Sequence, residues 1–425
     1  IYGIIYKKEE IFYLMIKRKL FLPYIFHLIL YLYFIMFAFI VDTPTNILNG
    51  MINIVLSPDI LITDYMVIGG IGATLVNVAI TSSACVFLLI LNGIKPNGAT
   101  LMSLWLIGGF SFFGKNIINI WPIMFGVFLY SKYQKEPFLN YTLVTLLATT
   151  LSPTINQIRY ISNLNPFIST TLGFLISVFM GFILPPISSH CIKAHKGYNL
   201  YNIGFAGGLI AMFLMSFLRA KGLEFENTLY WYTGNDTILV IFMFIISIYF
   251  IALAFIYGDN PVQKLKLINK QSGILVSDFF IMYKESTYLN VGILSLLSTI
   301  LLLILDADFN GPTIGSIFTI IGFGFFGKHF KNVWPIILGA ILGSFVYSKP
   351  ITSPNIIISV LLSTGLAPIA GMFGPLWGII SGFLHIMLVT NLVYLHGGLN
   401  LYNNGLSCGF VAMIIIPIIT IFKKE

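Results

Sequence analysis

Apolar stretches of about 20 residues recur along the whole chain, beginning with residues 20–41. An α-helix of that length crosses the hydrocarbon core of a bilayer. Only 9% of the 425 residues are charged, whereas a soluble domain carries about 25%. So few charges cannot cover an aqueous surface. The sequence therefore predicts an all-α, polytopic integral membrane protein.

The net charge of +8 does not indicate nucleic-acid binding, because the basic residues form short clusters between apolar stretches rather than one exposed face. Cys85, Cys191 and Cys408 lie in or beside apolar stretches, without the spacing of a metal site or a disulfide. We expect no cofactor and no nucleic-acid partner.

The chain contains one pattern twice. Gly114-Lys115 recurs as Gly327-Lys328, at an offset of 327 − 114 = 213. That offset also relates Asn77 to Asn290, Asn119 to Asn332, and Trp121-Pro122 to Trp334-Pro335. An offset of 201 relates Asn199-Leu200-Tyr201-Asn202 to Asn400-Leu401-Tyr402-Asn403. Agreement in rare residue types predicts two membrane repeats, residues 1–226 and 227–425, with a boundary near Glu226.

Each repeat has several apolar stretches that are interrupted or too short to span comfortably. Residues 99–113 and 117–130 flank a break at Gly114-Lys115, and Ser152-Pro153 is matched by Ala367-Pro368. Such interruptions at corresponding places predict discontinuous helices around a binding site. We expect five spans and one re-entrant or broken helix pair per repeat, ten spans in all. The alternatives are two short spans per pair, or short buried helices.

Loop charges predict that the two repeats face opposite ways. The loop at residues 42–64 has no Lys or Arg, whereas the equivalent loop after Tyr257 carries three lysines. Residues 192–197 include two lysines, and their counterparts at 396–399 include none. Because cytoplasmic loops are enriched in Lys and Arg, we expect inverted repeats in a cell membrane. Both termini are then cytoplasmic, consistent with the basic residues Lys7, Lys8, Lys17, Arg18, Lys19, Lys423 and Lys424.

The segment at residues 197–211 resembles the glycine-tyrosine-asparagine helix start of urea transporters, with Tyr201-Asn202, Gly207 and Ala211 at matching positions. The second copy keeps Tyr402-Asn403 but has Cys408 in place of the glycine. The resemblance implies inverted repeats of five spans and a half-spanning helix, and a homo-oligomer with one pathway per subunit. The leucine-proline-threonine-proline-phenylalanine signature of that family's pore is absent. The whole chain resembles an uncharacterised, duplicated family of bacterial membrane proteins, which implies no activity.

Lys115 and Lys328 are the leading candidates for contact with a solute. A lysine within the bilayer costs several kcal/mol unless it is hydrated or paired. In a re-entrant break, both would lie near the midplane and would attract an anion or a carbonyl dipole together with nearby helix N-termini. The alternative is that each is a loop lysine reaching the headgroups.

Amide and aromatic side chains near these lysines complete the predicted substrate-binding set. Its other members are Asn119, Trp121, Asn199, Tyr201, Asn202, Asn332, Trp334, Asn400, Tyr402 and Asn403. The alternatives are helix capping or hydrogen bonds between helices for the asparagines, and an interfacial aromatic belt for the tryptophans. We expect Asp64 and Asp278 to cap helices, and His385 to be a hydrogen-bonded packing residue.

The sequence favours a transporter or channel for a small polar or anionic solute, with a pathway between two inverted repeats. No Walker sequence is present, so transport would be passive or secondary. Neither paired carboxylates, nor a metal cluster, nor a Ser/His pair stands at a usable spacing, so we do not expect an enzyme. The main alternative is a non-transporting membrane scaffold, which would place both lysines at the headgroups; an intramembrane enzyme is the lesser one.

Overall fold

The computed structural model describes residues 21–160, 165–223, 229–234, 236–275 and 277–422. Within these ranges, ten helices are long and apolar enough to cross a membrane, five in each repeat. The prediction of a multi-pass, all-α membrane protein with ten spans is therefore confirmed. Several residues used in the sequence argument lie outside the described ranges: Lys7, Lys8, Lys17, Arg18, Lys19, Glu226, Lys423 and Lys424.

The first repeat, in its described part, runs through nine α-helices. They are α1 (Leu22–Val41), α2 (Pro44–Leu56), α3 (Tyr65–Leu91), α4 (Gly98–Phe110), α5 (Ile120–Tyr133), α6 (Thr142–Ala148), α7 (Pro153–Tyr160), α8 (Pro166–His195) and α9 (Asn202–Ala220). A 3₁₀ turn at Phe138–Tyr141 leads into α6, and another at Thr149–Leu151 joins α6 to α7, so that together they form one interrupted span.

The second repeat follows the same order. Its α-helices in the described ranges are α10 (Asp236–Tyr257), α11 (Pro261–Ile268), α12 (Phe279–Tyr283), α13 (Thr287–Ile304), α14 (Gly311–Gly324), α15 (Phe330–Ser344), α16 (Pro354–Leu362), α17 (Ala367–Phe373), α18 (Pro375–His396) and α19 (Asn403–Phe422). A 3₁₀ turn at Lys284–Ser286 joins α12 to α13, and one at Ser363–Leu366 joins α16 to α17. The interruptions predicted beside Pro153 and Pro368 are therefore confirmed.

Two aspartates connect the repeats through helix caps. Asp64 accepts a hydrogen bond from the Met66 amide at 2.9 Å, and Asp278 accepts one from the Ile281 amide at 2.8 Å. Both predicted caps are confirmed. Each carboxylate also accepts from the first amide of the short helix in the other repeat: Asp278 from Gly98 at 2.9 Å, and Asp64 from Gly311. Each repeat thus fixes where the other's broken helix begins.

The short helices α4 and α14 pack antiparallel, with Gly109 against the backbone of Gly315. The break after α4 lies beside the start of α14, and the break after α14 lies beside the start of α4. A helix of 13 residues is about 20 Å long at 1.5 Å per residue. The two breaks therefore lie about 20 Å apart along this pair. Antiparallel packing thus places the helix C-termini, and with them the two breaks, at opposite ends of this pair.

Two further helices meet between the breaks. The N-termini of α9 and α19 approach each other where Gly204 packs against Tyr402 and Gly405 packs against the backbone of Tyr201. Side-chain amides cross the contact: Asn199 donates to the Gly405 carbonyl at 3.0 Å, and Asn400 donates to the Gly204 carbonyl at 2.9 Å. The two Asn-Leu-Tyr-Asn motifs therefore form one interface between the repeats.

Candidate functional site

The lysine breaks have the same local structure in both repeats. Gly114 and Gly327 have φ angles of 92° and 100°, a conformation open to glycine at little cost, which explains the glycine before each lysine. Asn77 donates to the carbonyls of Ser111 and Lys115, both at 2.8 Å. Its counterpart Asn290 donates to the carbonyls of Gly324 and Lys328, at 2.8 and 2.9 Å. A buried amide on the neighbouring span thus holds each break open.

Each lysine contacts the tyrosine of the other repeat. Lys115 Nζ donates to the Tyr402 hydroxyl at 2.7 Å. Lys328 Nζ donates to the Tyr201 hydroxyl at 2.5 Å and to Thr364 Oγ1 at 2.8 Å. Both lysines are fully buried, with 0% exposure. The alternative in which these lysines reach the lipid headgroups is therefore wrong, because the turn directs both side chains into the protein.

The surroundings of the two ammonium groups are aromatic. Each Nζ lies 4.6 Å from the ring centroid of its tyrosine partner, with Phe110 at 5.3 Å from Lys115 and Phe323 at 4.9 Å from Lys328. In the described part of the chain, neither lysine has a carboxylate within 4.0 Å. Removing an ammonium group from water costs several kcal/mol, and cation–π contacts return about 2 kcal/mol each when desolvated. A bound anion would add to these contacts and stabilise the charged form of both lysines.

A wide vestibule leads from the protein surface to the two tyrosines. Its volume is about 650 Å³, within the range of small-molecule sites. Its mouth includes the exposed residues Asn140 and Lys196, and Tyr201 and Tyr402 form its floor. Apolar side chains line most of the wall between them.

The internal duplication gives this vestibule a counterpart, which we call the narrow vestibule. Eleven pairs of equivalent positions line the two cavities, wide before narrow: Tyr141 and Asn355, Val144 and Ile358, Ser188 and Val389, Ser189 and Thr390, Ile192 and Val393, Leu200 and Leu401, Asn202 and Asn403, Ile203 and Asn404, Leu275 and Leu61, Phe323 and Phe110, and Phe326 and Phe113. The narrow vestibule has a volume of only about 20 Å³, which is room for about one water molecule. Equivalent lining residues are thus separated by a cavity in the wide vestibule and packed against each other in the narrow one.

The predicted asparagines have their polar atoms engaged within the protein. Asn119 and Asn332 cap their own breaks, donating to the carbonyls of Gly114 and Gly327 at 3.0 and 2.9 Å. Asn202 bonds His195 at 2.9 Å, and Asn403 bonds His396 at 2.8 Å. Asn199 and Asn400 cross the interface between α9 and α19, as described above. These amides shape the site, and Tyr201 and Tyr402 are the members of their motifs that meet the lysines.

The tryptophans lie away from the lysine–tyrosine pairs, and His385 hydrogen-bonds other residues. Trp121 and Trp334 are 40% and 38% exposed and line grooves on the outside of the bundle. Such a position suits contact with lipid rather than with a central solute. His385 is buried and hydrogen-bonds Asn404 at 3.0 Å, so its predicted role as a packing residue is confirmed.

The structure also reveals residues that the sequence argument missed. Thr364 contacts Lys328, and the equivalent Thr150 donates to Asn400 at 2.6 Å and accepts from the Tyr402 amide. A repeat signal was present, because the two threonines are 214 positions apart (364 − 150). The aspartate at position 59 is buried beside the first break. It carried no such signal, because glycine occupies the equivalent position of the second repeat.

A family model described as Protein of unknown function (DUF1576) matches the chain twice, over residues 43–220 and 258–421. Each match falls inside one predicted repeat, and together they cover most of the chain. No curated protein and no solved structure matches the chain. The comparisons support the predicted duplicated, uncharacterised family and supply no named activity.

Proposed function

Because the chain belongs to this family of unknown function, whose description names no activity, we propose a function from the geometry: it transports a small anionic or polar solute through a pathway between its two repeats. The pathway runs from the wide vestibule, past Tyr201 and Tyr402, to the narrow vestibule. Transport proceeds by alternating access, in which the two vestibules exchange their widths.

The observation that carries this proposal is the unequal volume of two equivalent cavities, about 650 Å³ and about 20 Å³. In transporters built from inverted repeats, the two halves adopt different conformations and exchange them to move the opening across the membrane. The solute site then lies where the halves meet. In this chain that place is the contact between the two Asn-Leu-Tyr-Asn motifs.

The two lysines support an anionic solute. Both are buried, lack a carboxylate partner among the described residues, and donate to the hydroxyl of a tyrosine that lines the wide vestibule. A tyrosine that accepts a hydrogen bond from the ammonium group can donate its own hydrogen to the solute. The apolar wall favours solutes whose remaining surface is apolar, such as small monocarboxylates.

Orientation follows from the loop charges. Lys193 and Lys196 lie at or near the mouth of the wide vestibule, so the wide side is cytoplasmic by the bias of basic residues. The proposal accordingly has the protein in the cell membrane with both termini in the cytoplasm. Because both vestibules come from one chain, each subunit of a homo-oligomer would contain a complete pathway.

A scaffold is the weaker alternative. It requires the lysines at the headgroups and a solid interface between repeats, and the burial of the lysines beside a large cavity argues against both requirements. An intramembrane enzyme is weaker still: in the described residues, no group of three His, Cys, Asp or Glu could hold a metal ion. We propose no enzymatic activity.

Flux into vesicles tests the proposal. The purified chain is reconstituted, and uptake of acetate, lactate and nitrate is measured beside urea as the neutral solute. We expect anion uptake at least about tenfold above protein-free vesicles, which corresponds to about 1.4 kcal/mol. We expect it to be lost in the Lys115→Met/Lys328→Met variant. Equal anion uptake by the variant would remove the lysines from the mechanism, and no uptake of any solute would favour the scaffold.

A further inference from the structure

Asp59 is a buried carboxyl in the loop between α2 and α3, with 0% exposure, and the proposed lysine chemistry does not use it. Five neutral side chains donate hydrogen bonds to it: Ser57 and Tyr65 to Oδ1, each at 2.5 Å, Asn119 and Asn116 to Oδ2 at 2.9 and 3.3 Å, and Asn156 to Oδ2. These donors come from the loop itself, α3, the first break and α7. One carboxyl therefore ties four parts of the first repeat together.

The charged and titratable groups around Asp59 do not neutralise it. Helix α2 contributes none, and Tyr65 is the titratable group that contacts it from α3. Lys115, in the break, points toward Tyr402, and Arg159 on α7 lies over the ring of Tyr160. In the described residues, no cation is within ion-pair distance of Asp59. Burial therefore raises the pKa of the Asp59 carboxyl to about 7.

The hydrogen bonds around Oδ1 accommodate a proton without any movement of heavy atoms. The Ser57 hydroxyl lies 2.5 Å from Asp59 Oδ1 and 2.9 Å from the Ile54 carbonyl. When Asp59 is ionised, Ser57 donates to the carboxylate. When Oδ1 is protonated, Asp59 donates to Ser57, which turns its own hydrogen to Ile54. Both protonation states are fully hydrogen-bonded.

Asp59 lies directly behind the wall of the narrow vestibule. Leu61 and Ile62, on the same loop, line that cavity, as does Phe113 at the break. In the second repeat, Gly273 occupies the equivalent place, with a φ of 78° against 61° for Asp59 and the same backbone contact with its break. The loop in the wall of the wide vestibule is tied to its break by His329, which hydrogen-bonds the Gln271 carbonyl at 2.9 Å, and it has no carboxyl where the narrow vestibule has Asp59.

We propose that Asp59 is a proton-binding site in the wall of the narrow vestibule, protonated while that wall is packed as in this structure and deprotonated when the vestibule widens. Widening separates the loop, the break and α7, so water reaches the carboxyl and the proton leaves to the solvent on that side. This proposal rests on the alternation of the two vestibules proposed above. In this proposal, each transport cycle binds a proton at Asp59 as the narrow vestibule closes and releases it as that vestibule widens.

The sign of the pH effect follows from linkage. The buried carboxyl binds a proton more tightly than a hydrated one, so proton binding stabilises the packed wall. That stabilisation is complete at pH values below the ordinary carboxyl pKa. It is lost as the pH rises through the pKa of Asp59, about 7. Alkaline pH therefore favours widening of the narrow vestibule.

Thiol labelling at equivalent positions tests the proposal. Val393→Cys places a thiol in the narrow vestibule and Ile192→Cys places one in the wide vestibule, each in a full-length chain with Cys85, Cys191 and Cys408 replaced by alanine. The ratio of their maleimide rates cancels most of the intrinsic pH dependence of the reagent. From about pH 5.5 to about pH 8.5, we expect the ratio of Val393→Cys to Ile192→Cys to rise at least ~10-fold.

The Asp59→Asn variant keeps the shape of the protonated form and should hold the ratio at its acidic value at every pH. Asp259→Asn is the matched control, because the exposed Asp259 pairs with Lys264 and its removal should leave the pH response intact. A pH response that persists in Asp59→Asn would overturn the proposal. If Asp59→Asn does not fold, Tyr65→Phe replaces it: loss of a donor to the carboxylate should move the midpoint to higher pH, and an unchanged midpoint contradicts us.

Infrared difference spectra between acidic and alkaline pH provide a direct measurement. We expect a carboxylic-acid C=O band that titrates near neutral pH and is weaker in Asp59→Asn, because burial also raises the pKa of Asp64 to about 7 and that carboxyl keeps its share of the band. An equally strong band in Asp59→Asn would contradict the proposal. Absence of the band from the unmodified chain would also overturn the proposal. Neither the labelling nor the infrared measurement needs a solute. The proton site at Asp59 can therefore be supported even if the flux assay contradicts anion transport, and the reverse also holds.

Discussion

The two vestibules are built from equivalent positions of one duplicated sequence, yet one is about thirty times larger than the other, at about 650 against about 20 Å³. The narrow one is closed where α16 packs against α18 through a buried cluster that includes Ile356, Val360, Ile386 and Val389. The equivalent positions on α6 and α8 are Thr142, Leu146, Pro185 and Ser188. Three of the four apolar residues of the second repeat are thus replaced by smaller or polar ones in the first, the exception being Leu146.

The shared positions of the two repeats therefore set the architecture, whereas the residue differences between the repeats determine which of the two vestibules is wide. When the β-branched residues of α16 and α18 meet, each Å² of apolar surface that they bury stabilises the contact by about 25 cal/mol. Thr142 and Ser188 gain less from the same contact, because a hydroxyl loses water on burial. The structure therefore shows the arrangement that this sequence favours, with the second repeat closed on its vestibule and the first repeat open on its own.

The largest expected effect comes from removing either lysine. Lys328→Met and Lys115→Met should each reduce anion uptake about 30-fold, or about 2 kcal/mol, because the tyrosine that donates to the solute loses the hydrogen bond from its charged partner. Stability should change in the opposite direction, because an unpaired buried cation is replaced by an apolar side chain of similar length. Vesicle uptake and thermal unfolding of the same preparations measure the two effects.

The stability gain should be larger for Lys328→Met than for Lys115→Met. The hydroxyl oxygens of Tyr201 and Thr364 lie 3.2 Å apart, so these two side chains still have each other as hydrogen-bond partners when Lys328 is replaced. The Tyr402 hydroxyl has Lys115 as its one hydrogen-bond partner in the described residues, so Lys115→Met leaves that hydroxyl without one. Variants that lose both stability and flux would instead indicate that the lysines are structural.

The next effect is on the vestibules themselves. Thr142→Ile/Ser188→Val gives α6 and α8 part of the apolar contact that closes the second repeat. We expect the wide vestibule to narrow, so that maleimide labelling of Ile192→Cys falls about fivefold, the consequence of about 1 kcal/mol of added contact. The reverse pair, Ile356→Thr/Val389→Ser, should raise the labelling of Val393→Cys. Unchanged rates in both pairs would show that these contacts do not set the widths.

The sequence was sufficient for the spans, the duplication and the two breaks, because apolar length, repeated rare residues and Gly-Lys pairs are local signals. It could not supply the partner of each lysine: Lys115 and Tyr402 are 287 positions apart and belong to different repeats. Nor could it separate Tyr201 from Asn202, since both are polar residues at one helix start. The structure separates them, because the amide reaches back to His195 whereas the phenol reaches across to Lys328.

Substitution of Trp121 or Trp334 should have the smallest effect on anion uptake. It tests whether the solute passes between the repeats or along the lipid-facing surface. Both stand in a repeated Trp-Pro motif beside a lysine break, the pattern that placed them among the predicted substrate-binding residues. Both are also about 40% exposed on the outside of the bundle. Trp121→Phe and Trp334→Phe keep an aromatic ring there, so each should change anion uptake less than about twofold, within the roughly 0.5 kcal/mol usual for surface substitutions. Tyr402→Phe, measured beside them, removes the hydroxyl that meets Lys115 and should have a clearly larger effect. If a tryptophan variant lost as much uptake as Tyr402→Phe, the pathway would have to run along the outer grooves rather than between the two Asn-Leu-Tyr-Asn motifs.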